Sequence, residues 1–170
     1  MKKTILFVCN GNIYRSAIAE VIFDTILKEF HLNEIYMASS CGLQGSMGTP
    51  PPKHQKLSEY PDEWHAAKPT LDRLNIDVSK CHFHPITEQI IKQADVVIAM
   101  DDYVYKQALN SLLRQFPDYI SKMHLFSEFT SDHKEIEDPS GVSLSSTHQM
   151  TIEHIFNTLH EKYNEIIRLS

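Results

Sequence analysis

The run Cys9-Asn10-Gly11-Asn12-Ile13-Tyr14-Arg15-Ser16 holds the most specific chemistry in the chain, with five residues between the cysteine and the arginine. That spacing lets a backbone wrap around a tetrahedral oxyanion with successive N–H groups pointing inward, and a helix that follows adds the positive end of its dipole. Arg15 then closes over two anion oxygens with its planar fork, which a lysine could not imitate. Cys9 lies at the centre of this positive field, which favours the thiolate, the form that attacks phosphorus. Gly11 and Asn12 are residue types that tolerate left-handed backbone angles, as a tight cradle requires. Ser16 either caps the helix or donates its hydroxyl to the sulfur. Asn10, Gly11, Asn12, Ile13, Tyr14 and Ser16 are therefore the candidate substrate-binding residues. A lone Cys-x5-Arg would read as a buried cysteine followed by a turn. Its position between a strand and a helix is what gives the pattern weight.

A thiolate that displaces an ester oxygen from phosphorus needs an acid to protonate the leaving group. Glu137-Asp138-Pro139-Ser140-Gly141 supplies the best candidate, because the Asp-Pro step stiffens the backbone and aims the carboxylate of Asp138. Alone it would be an ordinary turn. Paired with the first loop, Asp138 becomes the proposed general acid, which later activates water against a phosphocysteine.

Elements that alternate in type must position these groups. Thr4–Val8 is a continuous apolar run suited to a buried parallel strand, and Ala17–Phe30 carries Ile18, Val21, Ile22 and Ile26 at helical spacing. Ile35–Ser39 reads as a second strand, Lys68–Leu74 and Thr87–Lys92 as short helices, Val96–Met100 as a third strand and Asp102–Leu113 as a further helix. His124–Phe126 supplies a fourth strand. The stripe Ile152, Ile155, Phe156, Leu159, Tyr163, Ile166 and Ile167 marks a final helix over Thr147–Arg168. The sum is an α/β chain with a mostly parallel four-stranded sheet flanked by helices, binding its ligand outside the carboxyl ends of the strands. Gly42–Glu63, with Pro50-Pro51-Pro52 and no persistent apolar period, reads as a long surface loop.

A chain of 170 residues, 42% hydrophobic and 22% charged, suits one domain spanning 1–170. Three cysteines fit no disulfide framework, so a reducing cytoplasm is the simplest compartment. The apolar opening breaks at Asn10-Gly11-Asn12, too early for a secretory signal, and no stretch approaches membrane-spanning length. A formal charge of -6 opposes general nucleic-acid binding. Cys81, His82 and His84 crowd together, but no second ligand pair stands at a recognised spacing, so no metal and no other cofactor is expected.

Val8-Cys9-x-Gly11-Asn12-Ile13-x-Arg15-Ser16, with Ala19-Glu20 following, resembles the signature loop of the low-molecular-weight protein tyrosine phosphatases. The resemblance implies a single-domain three-layer sandwich and hydrolysis of phosphotyrosine in proteins, or of small aryl phosphates, with inorganic phosphate as product and no metal. It also implies an Asp-Pro pair at Asp138-Pro139, a serine at Ser40 that holds Asn12, and a supporting histidine at His82. Asp101, ending the third strand, takes a structural role. Several departures stand out. Tyr14 replaces the cysteine that in many members pairs reversibly with the nucleophile, Ser140 replaces an aromatic that walls the substrate ring, and Gly42–Glu63 contains an apparent insertion that leaves the place of Trp64 open. Ile13 favours phosphotyrosine over phosphoarginine, since the arginine phosphatases of the family carry a smaller threonine there. Two alternatives share the fold or the loop: a thiol-linked arsenate reductase, which needs a cysteine pair after the third strand that this chain lacks, and a phosphate- or phosphotyrosine-binding module without turnover.

Overall fold

A computed structural model describes residues 2–170. Four strands, β1 (Lys3–Cys9), β2 (Tyr36–Gly42), β3 (Val96–Ala99) and β4 (Met123–Leu125), form one parallel sheet in the order β2-β1-β3-β4. Side chains alternate across a strand, and β1 is apolar on both faces: Ile5 and Phe7 enter one core, Leu6 and Val8 the other. Helices cover both sides. The first core packs α1 (Arg15–Glu29), α2 (Pro61–Arg73) and α5 (Ser145–Ile167), and the second packs α3 (Glu88–Gln93) and α4 (Leu112–Gln115). The expected three-layer α/β architecture is present.

The stripe on α5 does what its period requires, with Ile152, Ile155, Leu159 and Ile166 fully buried. Each such side chain contributes about 1.5–3 kcal/mol of burial free energy. β1 runs one residue past the expected Val8, which carries Cys9 to the strand's end, and β2 extends through Ser40, Cys41 and Gly42 rather than stopping at Ser39.

Three expectations fail for local reasons. The helix expected from Lys68 begins at Pro61, the favoured first helical position, with Asp62 and Glu63 in its first turn. It runs through Pro69 because Ala66, Ala67, Thr70 and Leu71 bury its inner face against the core. The Gly42–Glu63 segment is consequently not a loop throughout: it contains a 3-10 turn at Leu57–Glu59, buries Leu43 and Leu57, and is anchored by Asn110, whose Nδ2 donates to the Leu43 carbonyl at 2.9 Å. The helix expected over Asp102–Leu113 splits into a π-helical turn at Tyr103–Gln107 and the short α4. Val104 and Leu112 are both buried in that arrangement.

Candidate active site

β1 delivers Cys9 to the carboxyl edge of the sheet, and the chain turns through residues 10–14 into α1. Asn12 takes the left-handed angle the turn needs, at φ 53°, while Gly11 does not. The end of β2 comes so close that a Cβ on Gly42 would lie 2.9 Å from the Asn10 carbonyl oxygen and the Asn12 nitrogen, so only glycine fits beside the loop. Among the described residues the N–H groups of Gly11, Ile13 and Tyr14 make no hydrogen bond to the rest of the chain, which leaves them available to an anion at the start of α1.

Hydrogen bonds converge on the sulfur. Ser16 Oγ lies 3.0 Å from Cys9 Sγ, and the Asn12 N–H donates to the same sulfur at 3.2 Å. Of the two roles open to Ser16, the structure takes the bond to sulfur; α1 has no side-chain cap. Asn12 is locked in turn: its Nδ2 donates to Ser40 Oγ at 2.8 Å and to Ser16 Oγ at 3.1 Å, and Ser40 donates to Glu20 Oε2 at 2.5 Å. The histidine nearest this network is not the expected one. His82 is exposed and makes no hydrogen bond to Asn12; the backbone N–H of His84 donates to Asn12 Oδ1 at 2.8 Å.

Arg15 is 2% exposed and paired twice. Its Nη1 donates to Asp101 Oδ2 at 2.5 Å and its Nη2 to Asp138 Oδ2 at 2.7 Å. Burial works against the guanidinium charge, but Asp138, the Cys9 sulfur and Asp101 outweigh it and push its pKa up. Asp138 is held on its other oxygen by the N–H and hydroxyl of Ser140, at 3.1 and 2.7 Å, so the serine that stands in place of an aromatic orients the carboxylate instead.

A cleft of about 220 Å³ opens above Cys9. Asn10, Gly11, Ile13, Tyr14, Arg15, Asp138 and Ser140 line it, whereas Asn12 and Ser16 lie beneath it as braces. The rest of the lining comes from residues that the sequence reading left out: Gln44, Pro52, Leu57, Tyr60 and Glu63. Tyr60-Pro61-Asp62-Glu63 does carry a helix-start signal, which places Tyr60 at the N-cap and Glu63 in the first turn. Trp64 packs against the first core instead, with Lys68 over its ring. Cys81, His82 and His84 do not converge: among the described residues no three His, Cys, Asp or Glu side chains are placed to hold a metal ion.

The low molecular weight phosphotyrosine protein phosphatase family matches residues 4–168. The chain belongs to that family. A protein-arginine-phosphatase of Bacillus subtilis (strain 168) is 29% identical over 143 residues, covering 82% of this chain and 81% of the relative. A low molecular weight protein tyrosine phosphatase from T. tengcongensis has a TM-score of 0.76 at 26% identity, covering 96% of this chain and 99% of the other. The YwlE arginine phosphatase, as a mutant with a phosphorylated active-site serine, has a TM-score of 0.75 at 25% identity, covering 98% and 99%. Membership makes this chain a phosphatase, with a phosphorylated protein as the substrate class of the family. Among the described residues no helix is long and apolar enough to cross a membrane.

Proposed function

We propose that this member of the family hydrolyses an aromatic phosphomonoester, phosphotyrosine in a protein, through a cysteinyl-phosphate intermediate. The observation that carries the reading is the lining shared with Cys9: Tyr60, Leu57, Pro52, Ile13 and Tyr14 bound the cleft with apolar and aromatic surface that suits a flat ring. Tyr60 is fixed there by its hydroxyl, which accepts from the His54 N–H at 3.1 Å. It supplies the aromatic surface that Ser140 does not.

The reaction follows from the positions. The phosphate dianion enters the ring of free N–H groups and competes with Asp138 for Arg15 Nη2. Released from that ion pair, a protonated Asp138 faces the leaving oxygen. Cys9 Sγ forms the bond to phosphorus as the bond to the aryl oxygen breaks, and that oxygen takes the proton from Asp138. The Asp138 carboxylate then removes a proton from water, whose oxygen attacks phosphorus, releasing phosphate and the thiolate. Ser16 and the Asn12 N–H, already on the sulfur, stabilise it as a leaving group. All three cysteines are free, which suits a thiol enzyme of the reducing cytoplasm.

Phosphoarginine is the second reading, favoured by the arginine-phosphatase relative and by Glu63, whose carboxylate lines the same cleft as Asp138 and suits a guanidinium. The deciding experiment measures phosphate release from matched phosphotyrosine and phosphoarginine peptides, with wild type, Cys9→Ser and Asp138→Ala. A preference for phosphotyrosine, lost with Cys9→Ser and strongly reduced with Asp138→Ala, is expected. A preference for phosphoarginine overturns the substrate, and full activity of Cys9→Ser overturns the mechanism. An inactive wild type that binds phosphate makes this a binding module.

A further inference from the structure

The segment carrying Asp138 is tied down at its far end by two side chains. Glu63 Oε1 accepts the Gly141 N–H at 3.2 Å, and His148 Nε2 lies 2.6 Å from the Val142 carbonyl oxygen. His148, in the first turn of α5, is completely buried, and its other ring nitrogen, Nδ1, lies 2.7 Å from the hydroxyl of Tyr14. A carbonyl oxygen only accepts, so Nε2 carries the proton and Nδ1 accepts from the Tyr14 hydroxyl. Tyr14 is itself 4% exposed, and burial with the charges of Asp138 and Glu63 pushes its phenol pKa up, which keeps it a donor. The two rings pack tilted, with centroids 5.3 Å apart.

We propose that Tyr14 and His148 form a positioning relay that fixes the acid segment 138–142 relative to the phosphate loop. The relay runs from the residue beside Arg15 through one buried imidazole to the backbone four residues past Asp138. Among the described residues no other side chain bonds both segments except Arg15, and the Arg15–Asp138 contact must open when phosphate takes the guanidinium. Once it opens, Arg15 Nη1 still donates to the Ile136 carbonyl at 3.2 Å on the near side of Asp138, and Tyr14–His148–Val142 holds the far side. It leaves Asp138 free to swing while holding the end of its lever. A buried phenol and a buried imidazole would each cost free energy if unpaired, and here each satisfies the other.

This inference rests on Asp138 being the general acid, and the experiment separates the two. Rates are measured on phenyl phosphate, whose poor leaving group needs the proton, and on 2,4-dinitrophenyl phosphate, whose good one does not. Wild type, Asp138→Asn, Tyr14→Phe, His148→Phe and the double variant Tyr14→Phe/His148→Phe are compared, with thermal unfolding of each and the inhibition constant of inorganic phosphate. Tyr14→Phe keeps the ring and removes only the hydroxyl, so it tests the link even where His148→Phe lowers stability. The expected result is a loss of about tenfold in kcat on phenyl phosphate and a several-fold smaller loss on the dinitrophenyl ester, with phosphate inhibition preserved in His148→Phe, whose ring does not line the cleft. The double variant loses no more than the worse single one, since both break one link. Equal losses on both esters, or none, with Asp138→Asn still discriminating between them, overturn the relay alone. If Asp138→Asn treats both esters alike, the acid assignment falls and the relay with it.

Discussion

Asp101 Oδ2 accepts from Arg15 Nη1 at 2.5 Å, while Oδ1 of the same carboxylate accepts the Val104 N–H at 2.8 Å. One carboxylate thus fastens the buried guanidinium to the end of β3 and starts the π-helical turn behind it. Asp101 is the permanent partner, for it is 13% exposed against 40% for Asp138. Substituting Asp101→Asn keeps an acceptor but removes the charge, and a hydrogen bond to a charged group is worth about 1.5–3 kcal/mol. Urea unfolding should show a loss of that size, together with weaker phosphate inhibition because Arg15 is no longer aimed. Unchanged stability would mean that Asp138 and the Ile136 carbonyl, which accepts from Nη1 at 3.2 Å, satisfy Arg15 without the Asp101 charge.

Tyr60 is the specificity residue of the proposed reading. Replacing Tyr60→Ala should raise KM for aryl phosphates by about three- to tenfold, the worth of one ring contact, and leave an alkyl phosphate almost unaffected. Steady-state kinetics on phenyl and ethyl phosphate decide it. Equal effects on both would show that Tyr60 shapes the loop rather than touching a ring.

Glu20 gives a prediction with a sign. Burial raises its carboxyl pKa, against the Ser40 hydrogen bond and the charge of His84, which lower it, and Asp24 adds to the rise. A carboxyl whose folded pKa lies above its unfolded one binds its proton more tightly in the native state. Its stabilising effect is complete below the unfolded value, about 4.3, and is lost as pH rises through the folded value. Glu20→Gln, which keeps an oxygen for Ser40, should therefore gain stability over wild type as pH goes from 4 to 7, with activity retained. Glu20→Ala leaves the Ser40 hydroxyl without its acceptor, at a cost of about 1–3 kcal/mol. Denaturation midpoints of the three proteins across that range test the sign; a difference between wild type and Glu20→Gln that does not vary with pH would refute it.

Local order carried most of what the sequence disclosed. Cys9, the turn residues and Arg15 lie within one short segment, so their geometry is fixed by strand, turn and helix in succession, and it is readable. The partners that complete the site arrive across the fold. Glu20 meets Ser40, and Tyr14 meets His148 over a separation of 134 residues, through packing that no local pattern encodes. The His82 assignment fails for a related reason: the bond to Asn12 comes from a backbone N–H two residues on, and any residue type but proline supplies one. Proline misleads once, since Pro50-Pro51-Pro52 suggests an outlying loop although Pro52 is buried in the cleft wall.

Cys9 should be the reactive thiol and an unprotected one. Burial pushes Cys81 up to about 12, with Glu20 and Asp77 adding to it, and burial pushes the fully enclosed Cys41 well above the usual thiol range. At pH 8 a thiol with a pKa of about 12 is ionised to roughly one part in 10⁴, so iodoacetate should give one adduct, at Cys9, which inorganic phosphate suppresses. Oxidation follows the same geometry. Cys41 pairs in register with Val8 and so faces the opposite side of the sheet from Cys9, and the neighbouring loop position is Tyr14, held by His148. A sulfenic acid formed on Cys9 by hydrogen peroxide has no thiol of this chain to condense with, and excess oxidant carries it on to the sulfinic acid. Inactivation by peroxide should become irreversible to dithiothreitol within the same exposure that inactivates the enzyme, and mass spectrometry should show two added oxygens at Cys9. Tyr14→Cys should restore recovery by trapping the sulfenic acid as a disulfide, at the expense of the bond to His148. Full recovery of the wild type after prolonged peroxide, with an intramolecular disulfide in the peptide map, would show that the loop moves far enough to bring Cys41 to Cys9.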